Sequence, residues 1–238
     1  QLEATDFRSS IRGVIEPTAL VIGDPVSRFP ELKGAQAEAE AVGRELSGQG
    51  GFQVETRIRP DSRQVIHALY ARAYRVLHLA GHGVYRHRPP AADSCRTCGQ
   101  KLPEWLPDRP GASGAAVTGM IIGDDVVLSP QEVQQMRFVP ELVFVNCCHL
   151  GTIEPEDPRS PRERNEHSDY HRIAANVATE FIRMGVRAVV AAGWAVVDTA
   201  AEVFATTFYR QMLQGLPFGR AVKAARQATF ERYPHTNT

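Results

Sequence analysis

The chain has 238 residues, 43% of them apolar and 23% charged, which suits a globular protein with one substantial core. Its 27 Lys and Arg balance 27 Asp and Glu, so no net field recruits nucleic acid or an anionic membrane. Apolar stretches are strand-sized, far below the roughly 18–20 residues of a membrane span, and Gln1-Leu2-Glu3 does not open a signal peptide.

Four cysteines, two of them adjacent, make a poor disulfide framework and point to a reducing, cytoplasmic setting. The chain starts without Met and ends at His235-Thr236-Asn237-Thr238, and is expected to be a piece of a longer protein.

Strand-sized runs alternate with helix-period segments, which predicts an α/β fold with a mostly parallel sheet and helices on both faces. Ala19–Ile22 reads as a strand that stops at Gly23-Asp24-Pro25. Ala35, Ala39, Val42 and Leu46 fall on one helical face, ended by Gly48-Gln49-Gly50-Gly51. Phe52–Thr56 is a second strand, and Asp61 with Gln64 caps a helix through Ala73. Val76–Ala80 is a third strand, followed by a meander over Gly119–Ile122 and Val126–Leu128. Ser129-Pro130-Gln131-Glu132 reads as a capping box, and Leu142–Asn146 as the fourth core strand. Ile173, Val177, Phe181 and Met184 trace a helix ended by Gly185, before a fifth strand at Ala188–Ala192. Thr199 with Glu202 is expected to cap a helix with its face on Val203, Phe204, Thr207, Phe208 and Met212. A last helix spans about Gly219 to Arg232. Two long loops, Arg86–Gly114 and Thr152–His171, follow the third and fourth core strands, where open α/β sheets place their sites.

Two of these strands end in reactive side chains: His82-Gly83 after Val76–Ala80, and Cys147-Cys148 after Leu142–Asn146. Side by side they would bring an imidazole to a thiol, the equipment of a cysteine hydrolase. His82 would draw the proton from Cys148 and return it to a departing amine, a role worth roughly 10²–10⁴-fold. The backbone N–H groups of Gly83 and Cys148 would form the oxyanion hole, one such donor being worth about 2.7–4 kcal/mol. Taken singly, a histidine before glycine is most often a turn residue, and a buried cysteine a small apolar side chain. The Gly23-Asp24-Pro25 turn lacks the glycine pattern of a phosphate-binding loop, which sets aside a nucleotide-binding reading.

Gly23-Asp24-Pro25, the Ala/Glu-rich helix, His78-Leu79-Ala80-Gly81-His82-Gly83, the meander, Asn146-Cys147-Cys148-His149-Leu150-Gly151 and Gly185–Trp194 together resemble the CHAT family of caspase-like cysteine peptidases. The resemblance implies a caspase-type sheet, the His82–Cys148 dyad, and kinship with caspases, metacaspases and separases. It also implies fusion to regulatory modules, so residues 1–18 are expected to be a leader and 19–238 the peptidase domain, truncated at its C-terminus. No cofactor is implied. The expected partners are a protein or peptide substrate and an activating domain or protein, with no direct nucleic-acid or membrane binding. A role in prokaryotic defence or signalling follows by family analogy alone. A catalytically inactive interaction module with the same fold is the alternative.

Departures from the family pattern add further expectations. Cys147 stands where a small residue is usual and is the rival nucleophile. Alternate strand residues face opposite ways, so only one thiol can meet the imidazole, and Cys148, three residues before Gly151, is favoured. His149 is expected to be a solvated turn residue, His78 a core group rather than a second base, and Asp198 a helix cap rather than a pocket wall. In the related families the pocket for the residue before the cut is lined at the positions of Asp24 and Asn146. A buried carboxylate beside an amide leans toward cleavage after Arg or Lys, unless Asp24 merely starts its turn. Cys95 and Cys98 have the spacing of half a zinc site, for which His87 could be a third ligand. The Thr152–His171 loop, with Arg159, Arg162 and Arg164, is either an activation or self-cleavage segment or a plain solvated loop.

Overall fold

The computed structural model describes residues 14–48, 50–87, 117–123, 126–129, 135–149, 178–192 and 197–234, with the side chains at 85–87, 148, 149 and 198 left out of the description. In chain order the elements are β1 (Thr18–Gly23), α1 (Lys33–Gly48), β2 (Gln53–Ile58), α2 (Ser62–Ala71), β3 (Val76–His87), β4 (Val117–Gly123), β5 (Val126–Leu128) and β6 (Leu142–His149). A helical segment over 178–183, α3, precedes β7 (Ala188–Ala191), α4 (Asp198–Leu213) and α5 (Phe218–Arg232).

Five strands run parallel in the spatial order β2-β1-β3-β6-β7. The β4–β5 pair is antiparallel and continues the sheet beside the far half of β3, on the flank that β1 occupies lower down. Along β1, β3 and β6 the odd and even positions serve opposite faces, as strand geometry requires. Leu77, Leu79, Val143, Val145 and Cys147 pack under α2 and α3. Val76, Leu142 and Phe144 pack instead against α1, α4 and α5. Both faces are covered, which is why these strands read as nearly unbroken apolar runs. Each fully buried Leu or Val contributes about 1.5–3 kcal/mol relative to exposure.

Local chemistry explains the ends of the elements. Asp61 accepts from the Gln64 backbone N–H at 2.8 Å while the Gln64 side chain accepts from the Asp61 N–H at 3.0 Å, the reciprocal cap expected for α2. Ala35, Ala39, Val42 and Leu46 are all buried on the inner face of α1. That helix presses on the end of β1: a Cβ at Gly23 would lie 2.6 Å from the Ala39 Cβ and 2.9 Å from the Ala35 carbonyl oxygen. The alanines and the glycine are therefore one packing device.

Three expectations are corrected. β3 does not stop at Ala80 but continues to His87, because β4 takes over as a hydrogen-bonding neighbour where β1 ends. α4 starts at Asp198, with Val197 at its N-cap and no side-chain cap bond, so Thr199 and Glu202 are not its cap. Its buried stripe is Ala201, Ala205, Phe208 and Tyr209, rotated from the expected face, because small side chains let the helix sit close to the sheet. The helix predicted from Ser129 and the residues Ile173 and Val177 lie outside the described residues.

Candidate active site

β3 and β6 are aligned in parallel from Val76 opposite Leu142 to Gly83 opposite His149. His82 is the register partner of Cys148, and Gly81 of Cys147. Position 148 thus shares the α1/α4/α5 face with positions 144 and 146, and position 82 shares it with 78. Cys147 takes the other face, 8% exposed within the cluster that holds Leu79, Val145 and Met120, and is not in a disulfide. The sequence favoured Cys148 by its spacing to Gly151, and the register puts the His82 position level with Cys148.

The His82 ring is 4% exposed and fixed from the β1–α1 connection. Its Nε2 donates to the Pro30 carbonyl oxygen at 2.7 Å, and the Phe29 ring lies 5.6 Å away, centroid to centroid. A carbonyl can only accept, so Nε2 carries the proton and, in the neutral ring, Nδ1 is left as the base. Nδ1 is buried and has no hydrogen-bond partner among the described residues. Phe29 is held by Val84, Ile121 and Val127, which ties the connection to the β4–β5 pair and keeps Pro30 in place.

Asp24 anchors the start of the same connection. It takes φ +48°, a left-handed conformation that aspartate tolerates, and Arg59, at the end of β2, takes φ +53°. Asp24 Oδ2 accepts from Arg59 at 3.0 Å, from the Gln36 side chain at 2.8 Å and from the Leu32 N–H at 3.1 Å. The carboxylate is 1% exposed. Its charge already has a cation of its own chain, so the argument that an unpaired Asp24 seeks a basic substrate side chain loses its premise. Asp24 starts the turn before Pro25 with its carboxylate bonded within the chain.

Asn146 is 6% exposed, and its Nδ2 donates to Glu38 Oε2 at 2.6 Å. The other Glu38 oxygen stands 3.2 Å from His78 Nε2, an ion-pair distance off the line of a hydrogen bond, and His78 Nδ1 lies 3.3 Å from the Tyr209 hydroxyl. Burial, and behind it the Glu38 carboxylate, push the Tyr209 hydroxyl well above its ordinary value, so it remains a donor. Four elements, α1, β3, β6 and α4, thus meet in a buried polar chain two residues before Cys148. Sequence reasoning identified His78 as a core group but missed Glu38 and Tyr209. The one available signal was a glutamate on the apolar face of α1, one position before Ala39, which an Ala/Glu-rich helix disguises.

A cavity of about 270 Å³ opens beside Asn146, walled by Phe144, Val190, Ala201, Phe204 and Val222, with Arg226 also in its lining. Gly83, the proposed oxyanion donor, sits where β3 has β4 on one flank and β6 on the other.

The sequence matches the family described as the CHAT domain over residues 2–235. The chain belongs to the CHAT domain family. No curated protein matches it. A solved structure of the Arg-specific cysteine proteinase gingipain R is similar at 11% identity and a TM-score of 0.47, over 92% of this chain and 42% of that one. The CHAT chain therefore spans less than half of that protein's length.

Other expected residues of this CHAT domain fall elsewhere. His149 lies in β6 opposite Gly83 rather than in a turn, because the strand runs on past the cysteines. Asp198 is the first residue of α4. Cys95, Cys98 and the loop with Arg159, Arg162 and Arg164 lie outside the described residues. His87 ends β3. Among the described residues no group of three or more His, Cys, Asp or Glu could hold a metal, and no helix is long and apolar enough to cross a membrane.

Proposed function

We propose that this CHAT domain is a cysteine endopeptidase in which Cys148 is the nucleophile and His82 the general base and acid. The observation that carries this reading is the His82 ring: Nε2–H is spent on Pro30, and Nδ1 is buried, unpartnered among the described residues, and level with Cys148 in the β3–β6 register. Membership of a cysteine peptidase family supports it.

The Cys148 thiol gives its proton to His82 Nδ1, and the thiolate attacks the scissile carbonyl carbon. The backbone N–H groups of Gly83 and Cys148 receive the oxyanion. His82 Nδ1–H protonates the leaving amine, which departs with the C–N bond electrons and leaves a thioester on Cys148. A water then gives a proton to Nδ1 and attacks the thioester, and the proton returns to sulfur as the acid product leaves. The Pro30 carbonyl holds the ring in one tautomer throughout and stabilises the imidazolium when it forms. Regulatory parts of the parent protein, or an activating partner, switch the domain on, and self-cleavage within 152–171 belongs to the same proposal.

The test is cleavage of an unfolded protein substrate by the full-length parent chain, read by intact mass. Fragments from the wild type, and none from a Cys148→Ala or His82→Ala chain, support the reading. Equal fragments from all three contradict it.

A further inference from the structure

Cys147 and Cys148 are neighbours on one strand, so a shift of a single residue in the β3–β6 register would exchange their faces. Whatever holds that register also chooses the thiol that His82 meets. As far as Val145, β6 is paired on both flanks, with β3 and with β7. Among the described residues Val145 is the last register partner of β7, and residues 146–149 are paired with β3 alone. β3 is itself braced at this height, Ala80 by Gly23 of β1 and Gly83 by Met120 of β4. The overhanging end of β6 is therefore the less supported of the two strands.

Glu38 meets that overhang at its root. Phe144 anchors the α1/α4/α5 face of β6 through ring contacts with His78 and Tyr209, and the next position on that face is Asn146. Its Nδ2 donates to Glu38 Oε2 at 2.6 Å, while Glu38 Oε1 stands 3.2 Å from His78 Nε2 on β3. One buried carboxylate on α1 thus reaches both strands, two residues before Cys148 and four before His82. Apolar contact has no direction and tolerates sliding, whereas a hydrogen bond weakens steeply when misaligned. Shifted by one residue, the Asn146 amide would leave Glu38 for the apolar cluster around Leu79 and Val145.

We propose that Glu38 is the positioning residue that selects the nucleophile: through Asn146 it keeps position 148 on the face of His82 and position 147 on the opposite face. This rests on the peptidase reading and adds to it the group that decides between two adjacent thiols. Without the Glu38–Asn146 bond, residues 146–149 take both registers, and in one of them Cys147 meets the imidazole.

The test is iodoacetamide labelling of the folded full-length chain at neutral pH, with adducts on Cys147 and Cys148 told apart by fragment ions. The wild type is expected to react at Cys148, with Cys147 slow. Glu38→Leu raises the Cys147 rate at least about tenfold, and adding His82→Ala abolishes the rise, because the imidazole must face a thiol to make it a thiolate. Glu38→Gln keeps an acceptor for the Asn146 amide and restores the wild-type pattern. Leu79→Ala, a truncation on the other face, is the control for simple loosening: any Cys147 labelling it produces is indifferent to His82. Where Glu38→Leu does not fold, Asn146→Val cuts the same bond and is expected to act alike.

The test does not read hydrolysis, so the two proposals fail separately. Where wild-type Cys148 labelling depends on His82, a Cys147 rate that stays low without the Glu38–Asn146 bond, or that rises with no need of His82, overturns the selection. Where it does not, the peptidase reading has failed. The selection is then judged by the Cys147/Cys148 labelling ratio: a rise of at least about tenfold in Glu38→Leu but not in Leu79→Ala sustains it, and equal ratios refute it.

Discussion

The two faces of the sheet are built by different rules. Under α2 and α3 the interior is apolar from Leu20 and Leu77 to Cys147. Under α1, α4 and α5 the same strands carry His78 and Asn146, and the helices bring Glu38 and Tyr209 to them, all buried, among Phe144, Phe208 and alanines. Buried charge is a poor way to stabilise a core, since apolar replacements of equal size often do as well. The polar chain lies on the face that holds positions 82 and 148, so the difference teaches that one face supplies stability while the other, on the proposed reading, gives up some of it near the site.

Swapping the cysteines breaks that contrast most sharply. Cys148→Ala is expected to lower peptide hydrolysis on the order of 10³-fold or more. Cys147→Ala leaves kcat/KM within roughly a few-fold and costs only the modest stability of one small buried side chain. The reverse outcome would put the nucleophile on the apolar face and end the account.

Truncation on each face sharpens the comparison. Leu79→Ala costs about 2–5 kcal/mol by cavity formation, and Glu38→Leu about 3–5 kcal/mol, because the buried Asn146 amide loses its acceptor and His78 its carboxylate neighbour. Urea unfolding measures both. Similar losses are expected from the two faces.

Asp24→Ala tests the turn at the junction of the faces. It strands the Leu32 N–H and the Gln36 and Arg59 side chains, for a loss of about 1–3 kcal/mol in stability. Hydrolysis slows because Pro30 is less well held, while the ranking of substrates is unchanged. A selective loss of basic substrates would restore Asp24 to the pocket.

The smallest effect is on pH dependence. Tyr209 is raised well above its ordinary value of 10.0 by burial and by Glu38, and Tyr74 is raised too, by burial and by its 2.5 Å hydrogen bond to Glu55. Both hold their protons in the folded chain at pH values where the unfolded chain releases them. Their contribution is full below about pH 10 and is lost as the pH rises from there toward the folded values. Tm is expected to fall above about pH 10, and less steeply in Tyr209→Phe; an unchanged slope in that variant contradicts the assignment.

Much of this was legible in the sequence, for reasons that differ by element. The apolar runs of β1, β3 and β6 announce a doubly covered parallel sheet, and Asp61 with Gln64 announces a helix start because the cap is local chemistry. The length of β3 was not legible: what carries it past Ala80 is pairing with β4, thirty or more residues away in the chain. The buried stripe of α4 escaped for a similar reason, since alanines signal close approach only once the neighbour is known. In the site, His82 and Cys148 stood out as reactive groups at strand ends. The Pro30 carbonyl could not, because a backbone oxygen has no letter. Around Asp24 the sequence shows a carboxylate beside a turn but not that Arg59, 35 positions on, already pairs with it.

The most direct test is covalent labelling of the full-length chain with a peptidyl acyloxymethyl ketone, followed by mass-spectrometric mapping of the adduct. The account predicts an adduct on the Cys148 sulfur, none on Cys147, and a labelling rate lowered on the order of 10²-fold or more by His82→Ala. Labelling of Cys147, or of Cys148 at an unchanged rate without the imidazole, would contradict it.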